Sequence, residues 1–252
     1  MTSLPQRMSE KRLGLVIDLD VCVGCHACVV VCKEWNTSGG RNAPLSDQDP
    51  YGPGVSGAWL NRVHSYEVKP DSQSIELGET RLVHFPKSCL HCDDAPCVAV
   101  CPTGASYKRG DDGIVLVDES KCIGCGLCAW ACPYGARELD LAAGVMKKCT
   151  LCVDRIYNET FEEIDRIPAC VRTCPTNARH FGDLGDPDSA VSQMVLERGG
   201  MDLMPEQETR PVNKYLPPRP RTALASSAGL LAESTEGATG FFKWLDGVLE
   251  RL

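Results

Sequence analysis

The spacing of cysteines constrains this chain more than any other feature. Sixteen cysteines occur in 252 residues and fall into four runs of four, with none left over. The first run, CVGCHACVVVC, supplies Cys22, Cys25, Cys28 and Cys32. The second, CLHCDDAPCVAVCP, supplies Cys89, Cys92, Cys97 and Cys101. The third, CIGCGLCAWACP, supplies Cys122, Cys125, Cys128 and Cys132. The fourth is split: CTLC gives Cys149 and Cys152, and CVRTCP gives Cys170 and Cys174.

Three chemistries compete for such a pattern. A disulfide framework suits short secreted chains and has no reason to repeat one local spacing. Zinc suits the fourth run taken alone, whose two close pairs resemble a zinc ribbon. Tetrahedral zinc has no use, however, for a third cysteine three residues on and a fourth beyond it. An iron–sulfur cube does: three cysteines two residues apart wrap one cluster, and the fourth, followed by proline, ligates the neighbouring cluster. The third run matches in full. The first carries Lys33 where proline would stand, and the second has two extra residues before its third cysteine. Gly24, Gly124 and Gly126 permit the backbone angles of a wrapping loop, and Pro102, Pro133 and Pro175 each follow a fourth cysteine. His26 and His91 read as neighbours or hydrogen-bond donors to clusters rather than ligands.

If each run's last cysteine serves another cluster, the runs work in pairs. The second and third are twenty residues apart, with GDDG a turn and IVLV a strand between them. The first and fourth then embrace that unit. This nested scheme gives the quartets Cys22, Cys25, Cys28, Cys174; Cys149, Cys152, Cys170, Cys32; Cys89, Cys92, Cys97, Cys132; and Cys122, Cys125, Cys128, Cys101. Sequential pairing, first with second and third with fourth, is the alternative. CPTGASY after the second run and CPTNARHFG after the fourth echo one another, each a turn leading into a strand.

Composition narrows the function. Hydrophobic residues make up 43% and aromatics only 6%, so the cysteine sites must supply much of the cohesion. The formal charge of −8 excludes a nucleic-acid partner in this reading. Four cubes with their thiolates would add roughly −2 each. Lys108, Arg109, Lys147, Lys148 and Arg155 lie near the runs, placed to offset that field or simply to be solvated. No apolar stretch approaches membrane-spanning length, and no signal peptide or twin-arginine pair is present, which reads as cytosolic unless a partner carries the chain out. There is no phosphate loop. GPGVSG at Gly52–Gly57 matches G-x-G-x-x-G formally, but a polar segment precedes it and Pro53 interrupts it. Five histidines nominate no catalytic triad. Many redox centres without substrate chemistry describe a wire, and a wire needs a docking partner at each end. A zinc-stabilised scaffold and a free soluble polyferredoxin are the rivals.

The motifs CVGCHACVVVCKEWN, HFPKSCLHCDDAPCVAVCPTGASYK, DDGIVLVDESKCIGCGLCAWACPYGAR, MKKCTLCVDR and PACVRTCPTNARHFGDLGDP resemble the four-cluster ferredoxin-type electron-transfer subunit of the dimethyl sulfoxide reductase family of molybdenum enzymes, over residues 14–187. The resemblance implies nested pairing and four [4Fe–4S] clusters. Relatives with tryptophan at the second cysteine of the third run hold a three-iron cluster; Cys125 implies a full cube here. CKEWNTSGGRNAPLSDQDPYG and the acidic tail are most similar to the iron–sulfur subunit of cytoplasmic, membrane-bound sulfite dehydrogenase. That similarity implies a non-catalytic role, linking a molybdopterin catalytic subunit to a multi-helix quinone-binding anchor at the inner membrane. Thiosulfate, polysulfide, tetrathionate and dimethyl sulfoxide reductases have similar subunits.

The expected fold is α+β: two bacterial two-[4Fe–4S] ferredoxin-like modules in pseudo-twofold arrangement. The outer module comprises 1–40 and 145–187, the inner 86–144. An insertion at 41–85 carries two strands, AWLNRVHSYEV and ETRLVHF, as a hairpin. The extension 188–252 begins with the proline-rich KYLPPRPRT and ends in GFFKWLDGVLERL, where Phe241, Trp244, Leu245, Val248, Leu249 and Leu252 recur at helical spacing. That periodicity predicts an amphipathic helix docked on a partner.

Overall fold

The computed structural model describes residues 4, 5, 7, 9–37, 58–68 and 81–219. The GPGVSG segment and the expected terminal helix lie outside the described residues. So does most of the turn region expected between the two inserted strands. Two compact units partition the chain, Met1–Pro218 and Arg219–Leu252, and only the first is described beyond its boundary residue.

Strand β1, Leu13–Asp18, is buried throughout. Its alternation serves two faces: Leu13, Leu15 and Ile17 join the main core, while Val16 joins Val191 and Leu216 in a smaller cluster. The first run follows and ends in helix α1, Ala27–Thr37, which carries Cys28 and Cys32. Strands β2, Asn61–Val68, and β3, Arg81–Ser88, pair antiparallel from Asn61↔Ser88 to Val68↔Arg81. These are the two strands expected from the sequence.

The inner half of the molecule, runs two and three, repeats one plan. A cysteine loop leads into a single helical turn, and a proline turn then leads into a short hairpin. Run two gives helix α2, Pro96–Ala99, and then strands β4, Ser106–Lys108, and β5, Val115–Val117. Run three gives helix α3, Leu127–Trp130, and then strands β6, Glu138–Asp140, and β7, Val145–Lys147. Both hairpins are antiparallel and three residues long, and α2 packs against α3.

The outer half, runs one and four, reaches the same contacts over long range. Helix α4, Val153–Ile156, follows CTLC, and helix α5, Ala169–Arg172, carries Cys170. Strand β8, Arg179–Asp183, pairs antiparallel with β1, from Leu13↔Asp183 to Ile17↔Arg179. That register brings the start of run one beside the end of run four, and α1 packs against α5.

Residues 188–218, expected as the start of an extension, are built into the same unit. Helix α6, Ala190–Arg198, is capped by Ser189, whose Oγ accepts from Ser192 N. It packs on β8 and on strand β9, Lys214–Leu216. Strand β9 pairs parallel with β1 and completes the sheet β8-β1-β9. Proline-rich sequence concealed this strand because its partner lies some two hundred residues earlier.

Candidate metal centres

The described cysteines assemble into four quartets. Cys22, Cys25, Cys28 and Cys174 line site I, a cavity that also includes Gly24, His26 and Arg179. Cys32, Cys149, Cys152 and Cys170 line site II, with Asn36, Asn61 and Arg179. Cys101, Cys122, Cys125 and Cys128 line site IV, with Ser106, Met146 and Arg137. The remaining four form site III, where the charges of Cys89, Cys97 and Cys132 act on Cys92. The structure therefore brings run one to run four and run two to run three; it does not group the runs sequentially.

The sites stand in a row. Arg179 walls both I and II. Sites II and III meet where Cys89 packs in one apolar cluster with Cys32 and Cys149, beside Ala58 and Leu60. Arg137 walls site IV and also donates through Nη2 to Cys97 Sγ of site III at 2.9 Å. Exposure follows the same order. Cys25 and Cys125, one in each end site, are exposed, whereas all four cysteines of site II and three of site III are buried.

One backbone device recurs in all four runs. The residue just before the second cysteine has a left-handed conformation: Gly24 and Gly124 at φ 66°, His91 at 49° and Leu151 at 56°. Such turns point successive N–H groups into the loop's concavity, where negative charge is stabilised. Glycine meets the requirement at no cost in runs one and three. In runs two and four a fully buried histidine and leucine accept a strain of about 1–2 kcal/mol each.

The donor sets fit a polynuclear cluster better than a single ion. Zinc at about 2.3 Å from each sulfur would need the four sulfurs to converge on one point. Among the described residues, no three Cys, His, Asp or Glu side chains do so. Three of the quartets ring cavities instead. Backbone N–H groups donate to several of the sulfurs: Ser106 to Cys101 at 3.3 Å, Met146 to Cys122 at 3.3 Å, Leu151 to Cys149 at 3.4 Å and Ala178 to Cys174 at 3.2 Å. Such bonds favour the thiolate. Three buried donors beside the quartets, His91 Nε2, Arg137 Nη1 and Arg179 Nε, have no acceptor. Orphans of this kind are costly unless a missing acceptor completes them, and cluster sulfides supply acceptors.

Electrostatics agree. Burial pushes the Cys92 and Cys152 thiols up to about 12 and Cys149 to about 11, so ligation must displace protons there. Burial, with the nearby Lys148, Lys108 and Arg137, holds His91 well below the usual imidazole range. The ring is neutral. Val115 N donates to its Nδ1 at 3.2 Å, which assigns the proton to the orphaned Nε2. His91 stands between Cys89 and Cys92 in sequence, and its buried Nε2 keeps a proton with no acceptor. His26 is exposed at the rim of site I.

Sequence reading missed the two arginines. Each stands five residues after the last cysteine of its run, in CPYGAR and CPTNAR, and each is only 5% or 3% exposed. The shared AR was the available signal. Of the cations that were named, Lys148 and Lys108 are buried and bond backbone carbonyls at the sites: Lys148 Nζ donates to Val115 O and Cys149 O, and Lys108 Nζ to Cys92 O. Lys108 also pairs with Asp93. Lys147 pairs with Glu119 at the surface.

Two 4Fe-4S dicluster domain models match, at residues 21–105 and 80–184. A sulfite dehydrogenase subunit of Allochromatium vinosum is 61% identical over 208 residues, covering 82% of this chain and 84% of its own. The chain is an iron–sulfur electron-transfer subunit of the dimethyl sulfoxide reductase family of molybdoenzymes. A tetrathionate reductase subunit of Salmonella typhimurium is 36% identical over 207 residues, covering 81% of this chain and 72% of its own. A selenate reductase subunit of Thauera selenatis is 30% identical over 263 residues, covering 84% and 79%. No helix among the described residues is long and apolar enough to cross a membrane.

Proposed function

We propose that the sixteen cysteines hold four [4Fe–4S] clusters, one per nested quartet, and that electrons cross the molecule along the row I–II–III–IV. The observation carrying this reading is the row itself, exposed at both ends and buried in the middle. Each cluster, when bound, supplies one-electron oxidation and reduction. The protein's part is to fix the quartets, exclude water from the inner two and place donors at the sulfurs. Two ferredoxin-like modules related by a pseudo-twofold axis, outer (1–40 with 145–187) and inner (86–144), account for the recurrence of the helix and strand contacts.

Both ends have the surface of a docking site. Site IV's loop presents Ile123, Leu127 and Trp130, the last 91% exposed, beside exposed Cys125. Site I presents Val23 and Val30 near exposed Cys25. Apolar side chains left in water around an electron exit mark protein contacts. We assign one end to a molybdopterin catalytic subunit and the other to a quinone-reactive membrane anchor. The complex would stand at the cytoplasmic face of the inner membrane and pass electrons from sulfite to quinone. The 61% identity to a sulfite dehydrogenase subunit favours sulfite; the tetrathionate reductase relative supports the same role in a reductase as the second reading.

Purifying the native complex tests this directly. About sixteen irons per chain, four per cube, and paramagnetic signals on reduction are expected, with a molybdenum subunit co-purifying and sulfite-dependent quinone reduction lost when this chain is deleted. Zinc in place of iron, or full sulfite-dependent quinone reduction without the chain, would refute it.

A further inference from the structure

The row has three junctions, and a buried cation stands at each. Arg179 lies between sites I and II: it walls both cavities, and its Nη1 is 3.5 Å from Cys170 Sγ. Lys148 lies between II and III: its Nζ donates to Cys149 O of site II and to the carbonyl oxygen of Val115, whose own N–H donates to His91, the residue next to Cys92 of site III. Arg137 lies between III and IV, bonded to Cys97 Sγ while lining the site IV cavity. All three are at most 5% exposed. Among the described residues, none pairs with a carboxylate: Arg179 is completed by Asn61 Oδ1 at 2.8 Å and Arg137 by Ser106 Oγ at 2.7 Å. An unpaired buried cation costs several kcal/mol, so negative charge inside the quartets must offset it.

The distribution is uneven. End sites I and IV have one such cation each, while inner sites II and III have two. The inner sites are also the buried ones, deprived of the water that would stabilise an added electron. Desolvation alone would make sites II and III hard to reduce and raise a barrier in the middle of the row.

Resting on the four-cluster reading, we infer that Arg179, Lys148 and Arg137 are redox-positioning residues: one cation per junction raises the reduction potentials of the two clusters beside it, cancelling the burial penalty at the inner pair. Each makes its own prediction of which two clusters respond. Arginine stays charged under all conditions of interest, so at two junctions the effect is built in permanently.

Potentiometric titration of the purified complex, followed by electron paramagnetic resonance, tests this cluster by cluster. Arg179→Gln is expected to lower the potentials of I and II, Lys148→Met those of II and III, and Arg137→Gln those of III and IV. Each shift should be at least tenfold in the reduction equilibrium, about 59 mV for one electron. The variants Arg179→Lys, Lys148→Arg and Arg137→Lys keep the charge and should stay within about threefold of the wild type. Neutral variants with full iron and unshifted potentials would overturn the inference, as would charge-retaining variants that shift as far as the neutral ones. If neutral variants lose iron while their charge-retaining counterparts keep it, the cation requirement is upheld; loss in both sets overturns it. A wild-type complex lacking the iron signals would instead refute the four-cluster reading itself.

Discussion

The inner and outer halves hold equivalent cysteine quartets by different chain routes. In the inner half the β4–β5 hairpin joins run two to run three, and Arg137 reaches a sulfur only 40 residues away. In the outer half β1 must find β8, with Leu13 opposite Asp183, and Arg179 is anchored by an asparagine 118 residues distant. Local closure loses little chain entropy, whereas long-range closure loses more and gains its contacts only once both ends have met. The comparison teaches that a common site can be built with unequal independence: the inner half closes its hairpins and its arginine over short sequence separations, while the outer half closes them over long ones.

Iron removal should break the molecule along that line. Chelation under reducing conditions is expected to expose the outer half first, with amides of β1 and β8 losing hydrogen-exchange protection before those of β4 and β5. Simultaneous loss in both halves would contradict the unequal-independence view. At a single position, Cys149→Ser should remove site II and with it about four irons per chain, and also destabilise the β1–β8 pairing. Cys125→Ser at the exposed end should cost its own cluster and leave that pairing intact, which exchange at β1 would report.

Asn213 is the next largest effect. It is fully buried and ties the halves together: Leu15 N donates to its Oδ1 at 2.8 Å, and its Nδ2 donates to Cys89 O at 3.0 Å. Asn213→Ala leaves two buried backbone groups unpaired, an expected loss of about 2–4 kcal/mol, measurable as a lowered denaturation midpoint of the holoprotein.

The two loop glycines sharpen the contrast further. A Cβ at Gly124 would lie 2.5 Å from the Gly144 carbonyl oxygen, whereas one at Gly24 would lie 2.4 Å from the His84 ring. Both substitutions meet the left-handed penalty of about 1–2 kcal/mol. The side chain can swing away and the backbone cannot. Gly124→Ala should therefore be the more destabilising of the pair in thermal unfolding, and the reverse order would show that β3 is the stiffer wall. Smallest of all, Trp130→Ala should change stability by under about 0.5 kcal/mol while weakening capture of the partner subunits.

Much of this was legible in the cysteine spacing, because a wrapping loop demands fixed short intervals that survive in the sequence as a pattern. The short gap between runs two and three favoured pairing them and nesting them inside runs one and four, with sequential pairing as the alternative; the turn-and-strand echo after runs two and four spoke only for a duplicated plan. Other features left no local trace. Strand β9 is a three-residue, proline-flanked segment, Lys-Tyr-Leu, whose identity comes from pairing with β1. Thr209, whose hydroxyl meets Tyr134 and Cys92, and Asn213 are single polar residues without a motif. His91 and Leu151 hide the left-handed turn that glycine advertises in the other two runs. The buried arginines look like surface residues by type, and only the packed quartets explain why they are inside.

The order of the runs along the chain has a consequence for biosynthesis. A ribosome adding about 5–20 residues per second takes about 6–23 s to travel from Cys32 to Cys149. Throughout that interval the thiols of the first run wait for partners not yet made, and the inner pair becomes complete only as Cys132 emerges, shortly before Cys149. The earliest sulfurs to leave the ribosome therefore wait longest for the rest of their quartet, which is complete only with Cys174.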